Sequence, residues 1–316
     1  MANRRDLVKR RKAARNIRKI TRTMQLIATA RFQAAFKAAV AGRPYTDKLA
    51  ELVEKLARAT EDLDHPLMRV PSENERRVLL VLSSNRGLCG GYNANVLRTA
   101  LRHLEGSPLE QESGDKILQE DGSSSLLTGS KGETEVHMVG RKGASYFRFL
   151  GQAIEREISE ISDSPRFEEV DALANEFMNR FVAGDIDSVS IAYMKFLSAG
   201  KQEATVEQVL PLQRSVSPTP HHSEARGKQR EIEYEFSPEP AKILAELLPA
   251  TVRVRFFQAF RDAAVSEQIA RMVAMKAATD AAGDMIKYLT QKYNRARQTQ
   301  ITMELLDIVG GANALA

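Results

Sequence analysis

The sequence predicts a mixed α+β / α/β protein. Two long terminal helices pair as an antiparallel coiled coil, and an α/β domain lies between them in the chain. Three observations predict this. Each end carries a heptad seam, the seams are far longer than a compact domain needs, and the centre alternates strand and helix signals.

The first helix spans about Arg4 to Ala59. Along it Ile17, Ile20, Met24, Ile27, Arg31, Ala34, Ala38 and Ala41 alternate spacings of three and four, the pattern of a heptad seam. Its one strong breaker is Gly42-Arg43-Pro44, which is expected to kink or interrupt the helix.

No proline follows Pro249. From there Met272, Met275, Thr279, Ala282, Ile286, Leu289, Tyr293, Ala296, Gln300 and Met303 repeat the same spacing without a break. Gly283 weakens this helix without ending it. A helix from Ala250 to about Val309 is roughly 90 Å long at the α-helical rise. If the chain leaves the first helix, makes a domain and returns, the two helices pair antiparallel. Polar Arg31, Thr279 and Gln300 at seam positions lower stability and set register.

Between the helices, strands are expected at Val78–Ser83, Glu135–Val139 and Ser188–Phe196. Helices are expected at Asn93–Leu104, Gly143–Leu150 and Phe167–Val182. Such alternation implies a mostly parallel, Rossmann-like sheet with helical layers. Two stretches read as loose: Gly106–Glu133, rich in Gly, Ser and acid, and Arg214–Arg230, with Pro218, Pro220, His221 and His222. The organisation is therefore a terminal helix over 1–60, an α/β domain over 77–213 with an insertion at 106–133, a loop over 214–237 and a terminal helix over 238–316.

The composition, 43% hydrophobic and 28% charged, is that of a globular protein, and no apolar run approaches the length of a membrane span. The single cysteine, Cys89, forms no internal disulfide, which points to a reducing compartment. Net charge is +5, but residues 1–22 alone hold ten basic residues against Asp6. A basic arm of this kind suits nucleic acid, an organelle-targeting leader or an acidic protein surface.

Catalytic signatures are missing. The loop in "VLLVLSSNRGLCGGYNANVL" has Gly87, Gly90 and Gly91, which fit neither the dinucleotide nor the Walker spacing, and no lysine follows. A tight turn that seats a helix on its strand explains it better. Ser-His-Asp order, H-E-x-x-H and C-x-x-C are absent too, so no catalytic residue, cofactor or metal site is expected. The plentiful acids read as solvated helix-face charge. Length and seams suit a mechanical or scaffolding role; a basic coiled-coil nucleic-acid-binding protein is the alternative.

Five blocks carry a resemblance. "SEQIARMVAMKAATDAAGDMI", "YNRARQTQITMELLDIVGGANAL" and "SSNRGLCGGYNANV" are similar to three signature blocks of the ATP synthase gamma subunit family, and "IRKITRTMQLIATARF" and "GRPYTDKL" resemble it as well. They occur in the family's order and cover nearly all of the chain except the two loose pieces. The resemblance implies a non-catalytic rotor shaft that couples proton flow through a membrane c ring to ATP synthesis or hydrolysis at the beta subunits. It implies partners in the alpha and beta hexamer, the epsilon subunit and the c ring, with no nucleic acid and no cofactor. It also implies a bacterial chain without a leader, peripheral at the cytoplasmic face of the membrane. In the family the shaft is positive where it faces acidic loops of beta.

By the same resemblance, Met24, Arg271, Arg297, Gln298, Thr302 and Glu304 match shaft positions that contact the hexamer. The small residues of "GGANALA" match the tip that sits in an apolar bearing. Tyr234 and Phe236 match an aromatic contact to the c ring, although Ser237 stands where many relatives carry an acid.

Overall fold

The computed structural model describes residues 4–59, 65–69, 76–106, 134–212 and 240–315. The loose pieces 107–133 and 214–230, with Tyr234 and Phe236, lie outside the described residues. The chain divides into two compact units. One comprises Met1–Gln33, Leu88–Gly90 and Gln268–Ala316; the other comprises Ala34–Gly87 and Gly91–Glu267.

In the larger unit a sheet is built from β1 (Arg77–Leu82), β2 (Thr134–Val139), β3 (Arg156–Ile158), β4 (Ser188–Ser198) and β5 (Lys201–Leu210). Their order is β3-β2-β1-β4-β5. The first four run parallel, with Leu80 beside His137 and Ile191, and β5 returns antiparallel beside β4. The helices α2 (Tyr92–Leu104), α3 (Arg141–Phe149) and α4 (Phe167–Ala183) match the expected segments within two residues at each end. Strands β3 and β5 were not expected. The first is only three residues long, and the second, KQEATVEQVL, is half polar because it is an edge.

One face of the sheet buries Val78, Leu80, Leu82 and Val139 against Phe177 and Phe181 of α4. Leu56 of α1 (Arg4–Ala59) and Leu244, Leu248, Val252 and Phe256 of α5 (Pro240–Leu315) complete this core. Buried Asp187 ties its edge together by accepting hydrogen bonds from Arg69 Nη2 and the Arg76 backbone N–H, each at 3.0 Å. Asp187, Asp262 and Glu267 thus depart from the expectation that the acids are solvated.

Helix α1 does not break at Gly42-Arg43-Pro44; it runs unbroken from Arg4 to Ala59. Pro44 forfeits one rung, a loss of about 3 kcal/mol or more in an isolated helix interior. Packing of buried Ala39, Leu49 and Leu56 offsets it, and Arg261 Nη1 adds a bond to Ala38 O at 2.8 Å. Helix α5 likewise begins ten residues before Ala250 and passes through Pro249, because Leu244, Leu248, Val252 and Phe256 bury one face on both sides of it.

A buried imidazole sits at the core. His137 is buried edge-on to Phe177, 5.2 Å between ring centres. Its Nε2 lies 3.4 Å from Glu135, whose carboxylate also accepts from Arg180 at 2.8 and 2.9 Å, while Nδ1 has no hydrogen-bond partner among the described residues. Desolvation lowers the imidazole pKa below its usual 6.5; Glu135 opposes the shift, and Arg180 and Arg156 reinforce it. The folded state therefore favours the neutral ring. Its contribution to stability is complete above pH 6.5 and is lost as pH falls from there through the lowered folded-state value. In denaturant titrations across this window, His137→Phe is expected to show a shallower loss of stability on acidification than the parent. His65 and His103, also lowered by burial, add slope of the same sign.

Candidate functional site

In the smaller unit the two helices cross-pair antiparallel. Thr21 meets Thr279, Arg18 lies against Gly283, and Leu7 and Ala14 cluster with Leu289, Ile286, Tyr293 and Ala296. Partners on α5 advance as those on α1 retreat, as a chain that leaves and returns requires. The expected α5 seam holds from Met275 to Ala296. Gln300 and Met303, also expected in it, are exposed.

The α1 seam is one residue out of the expected register. The residues that face α5 are Leu7, Arg11, Ala14, Arg18 and Thr21, with Ala28 buried two turns further on. Ala14 and Ala28 are 2% and 1% exposed, whereas Ile17, Ile20 and Ile27 are 52%, 57% and 51% exposed. On α1 the buried positions beyond Leu7 go to small residues, Ala14, Thr21 and Ala28. Arginine fits where the partner offers room or a ring: Arg18 uses the space left by Gly283, and Arg11 lies over Tyr293, 4.9 Å to the ring centre.

The consequence is an outer surface unusual for a paired helix. Ile17, Ile20, Leu26 and Ile27 stand on α1 beside half-buried Met24. Arg15, Arg18, Lys19 and Arg22 line a groove with Ile286. On α5, Ile301, Met303, Leu305, Leu306, Ile308 and Val309 are all exposed. Of the contact residues expected from the resemblance, Arg297, Gln298, Thr302 and Glu304 are exposed, with Glu304 accepting from Gln300 at 2.8 Å. Arg271 differs: it is buried, at 7% exposure. Gly310–Leu315 continue the helix.

The glycine loop directs its polar groups at itself. Asn93 Oδ1 accepts from the Ser84 backbone N–H at 3.0 Å, and Ser84 Oγ lies 2.7 Å from Arg86 O. Ser83 Oγ accepts from the Gly143 N–H at 3.0 Å and faces Val139 O at 2.7 Å. These bonds lock the β1 turn to the β2 turn at the end of the sheet where open α/β sheets place ligands. Gly140 (φ 91°) is needed there, since a Cβ would lie 2.3 Å from Ser83 O. Gly90 (φ 56°) rests against Ala270 and Ala274. The lone thiol of Cys89 is buried.

A bare two-helix shaft, apolar and basic on its outside, joined in sequence to an α/β domain whose turn is internally satisfied, defines a stalk protein that works by contact. The ATP synthase family model matches residues 3–315. The chain is 43% identical over 315 residues to the ATP synthase gamma chain of Rhodopirellula baltica, covering all of this chain and 99% of that one. It is 38% identical over 318 residues to the gamma chain of Leptospira biflexa, covering all of both. A chain of the OSCP/F1/c-ring assembly of Euglena gracilis mitochondrial ATP synthase has the same fold, with a TM-score of 0.62 at 16% identity over 99% of this chain and 94% of that one. The chain belongs to the ATP synthase gamma chain family.

The seam itself is testable. The Thr21 and Thr279 hydroxyls lie 2.8 Å apart, and each also faces a carbonyl of its own helix, Arg18 O at 3.2 Å and Met275 O at 2.7 Å. Thr279→Val alone strips one partner from a buried hydroxyl and is expected to cost about 1–3 kcal/mol. Changing both to Val is expected to cost less than the two single changes added together. Thermal unfolding of the four variants in a double-mutant cycle measures the coupling.

Proposed function

We propose that this chain is the central rotor stalk of a bacterial proton-translocating ATP synthase and carries no catalytic site of its own. The observation that carries the reading is the smaller unit's outer surface. Much of its internal seam is filled by small residues, and Ile17, Ile20, Leu26 and Ile27 stand outward with cations among them. Exposed apolar surface of this extent marks a surface made to be covered. A hexamer of alternating alpha and beta subunits is the proposed cover, with the epsilon subunit and the c ring as partners of the remainder. Peripheral attachment at the cytoplasmic face of the membrane follows from that assembly.

Met24, Arg297, Gln298, Thr302 and Glu304 are the proposed hexamer contacts, with Arg271 contributing through what little of it is accessible. Tyr234 and Phe236, in the 214–237 loop, are the proposed c-ring contacts. A shaft can bias a conformational equilibrium only through contacts that differ between the states. One asymmetric shaft among three chemically identical beta subunits supplies such differences, and turning it moves them around the ring. The chemistry belongs to beta; this chain transmits torque.

Met24→Lys tests the reading in the reconstituted complex. The new cation meets the proposed acidic surface of beta, where a charge-assisted hydrogen bond is worth about 1.5–3 kcal/mol. It deepens one rotary position over the others. ATP hydrolysis is expected to persist with a steeper temperature dependence, while proton pumping per ATP falls. Measuring incorporated chain alongside pumping separates this from lost assembly. Normal assembly with normal pumping would contradict the contact.

A further inference from the structure

Helix α5 is hydrogen-bonded in the larger unit to backbone carbonyls of two different elements. Arg261 Nη1 donates to Ala38 O of α1 at 2.8 Å, and its guanidinium lies over the Phe257 ring, 4.2 Å to the centroid. Gly42 makes room for it: a Cβ there would stand 2.5 Å from Arg261 Nη1. Five residues on, the buried Ser266 donates from Oγ to Met194 O of β4 at 3.2 Å. On an α-helix these two positions are about 140° apart around the axis and about 7.5 Å apart along it.

That spacing matters because most of the seat is apolar; a further directional contact, to a third element, is Arg253 Nε, 3.0 Å from Asn175 Oδ1 and 3.3 Å from Asp171 of α4. Leu248, Val252, Phe256, Ala259, Phe260 and Ala263 hold α5 against its neighbours. Burial of apolar surface resists separation but is not directional. A helix seated only by such contacts trades one set for a similar one when it rolls or slides slightly. A hydrogen bond weakens steeply as its angle closes. Two of them, at separate azimuths and to separate elements, oppose both roll about the axis and slip along it.

We propose that Arg261 and Ser266 are a torsional lock that makes α5 turn as one body with α1 and the sheet. The proposal rests on the rotor-stalk reading. Helix α5 continues from this seat to Leu315, so any roll at the seat is twist that never reaches the outer end. Both are positioning residues, and Gly42 serves the lock by leaving the guanidinium its place.

The test uses the complete complex reconstituted with this chain. The hexamer is anchored, a bead is fixed to the α/β domain, and the bead's angular fluctuation is recorded with hydrolysis halted. The double variant Arg261→Met/Ser266→Ala removes both bonds and keeps most of the apolar stem. It is expected to broaden the angular distribution, which is a loss of torsional stiffness, and to lower proton pumping while ATP hydrolysis stays unchanged. Gly42→Ala, which displaces the guanidinium and alters neither lock residue, is expected to give part of the same loss; it and Ser266→Ala decide the matter if the double variant does not assemble. A normal complex of unchanged stiffness overturns the lock alone. Failure of the unaltered chain to join the complex overturns the rotor-stalk reading beneath it.

Discussion

The antiparallel pairing of α1 and α5 in the smaller unit is the constraint on which the functional surface depends. With Leu7, Met275 and Leu289 as the large members, Ala14, Thr21 and Ala28 on one helix and Thr279 and Ala282 on the other occupy most of the buried positions. Side chains of this size supply little apolar burial individually, so the pair is held by contact along its length and by one buried hydroxyl pair. Because the seam takes small residues, the isoleucines a seam would ordinarily consume remain outside. The same choice that holds the shaft together therefore gives it an outer surface for other chains. A seam built from Ile17, Ile20 and Ile27 would bury that surface within the shaft itself.

The larger unit follows a different economy. Its sheet is buried by α4 and by the inner stretches of α1 and α5. Its turns spend their polar groups on one another, with Ser83 and Asn93 at the centre. Glycine at 140 and 143 admits contacts that a Cβ would forbid, 2.3 Å from Ser83 O in one case and 2.5 Å from Met138 Sδ in the other. A turn that resembles a phosphate loop in its glycine content is here the fastening between two strand ends.

Much of this was legible in the sequence, for physical reasons that differ by element. Strands β1, β2 and β4 are apolar runs bounded by turn residues, and α2 and α4 carry clear apolar faces. Strand β5 was not legible, because an edge strand with one half-exposed face loses the hydrophobic signal. Pro44 misled because its local penalty is real, but tertiary packing on both sides outweighs it. The α1 register misled by one residue because branched apolar side chains signal burial more strongly than alanine does. The proposed contact residues rest on the resemblance alone: Arg297, Gln298, Thr302 and Glu304 are exposed polar side chains that periodicity cannot tell from any other helix surface.

The central claim is that Thr21, and not the neighbouring Ile20, faces Thr279 across the shaft. Disulfide formation in the isolated chain tests it most directly, with Cys89 first changed to Ser to remove the native thiol. The pair Thr21→Cys/Thr279→Cys is predicted to close readily under mild oxidation, since the two side chains already touch. The pair Ile20→Cys/Thr279→Cys is predicted to stay reduced, since residue 20 points about 100° away around the helix. Ready closure of the second pair with failure of the first would contradict the register and, with it, the origin of the exposed apolar face.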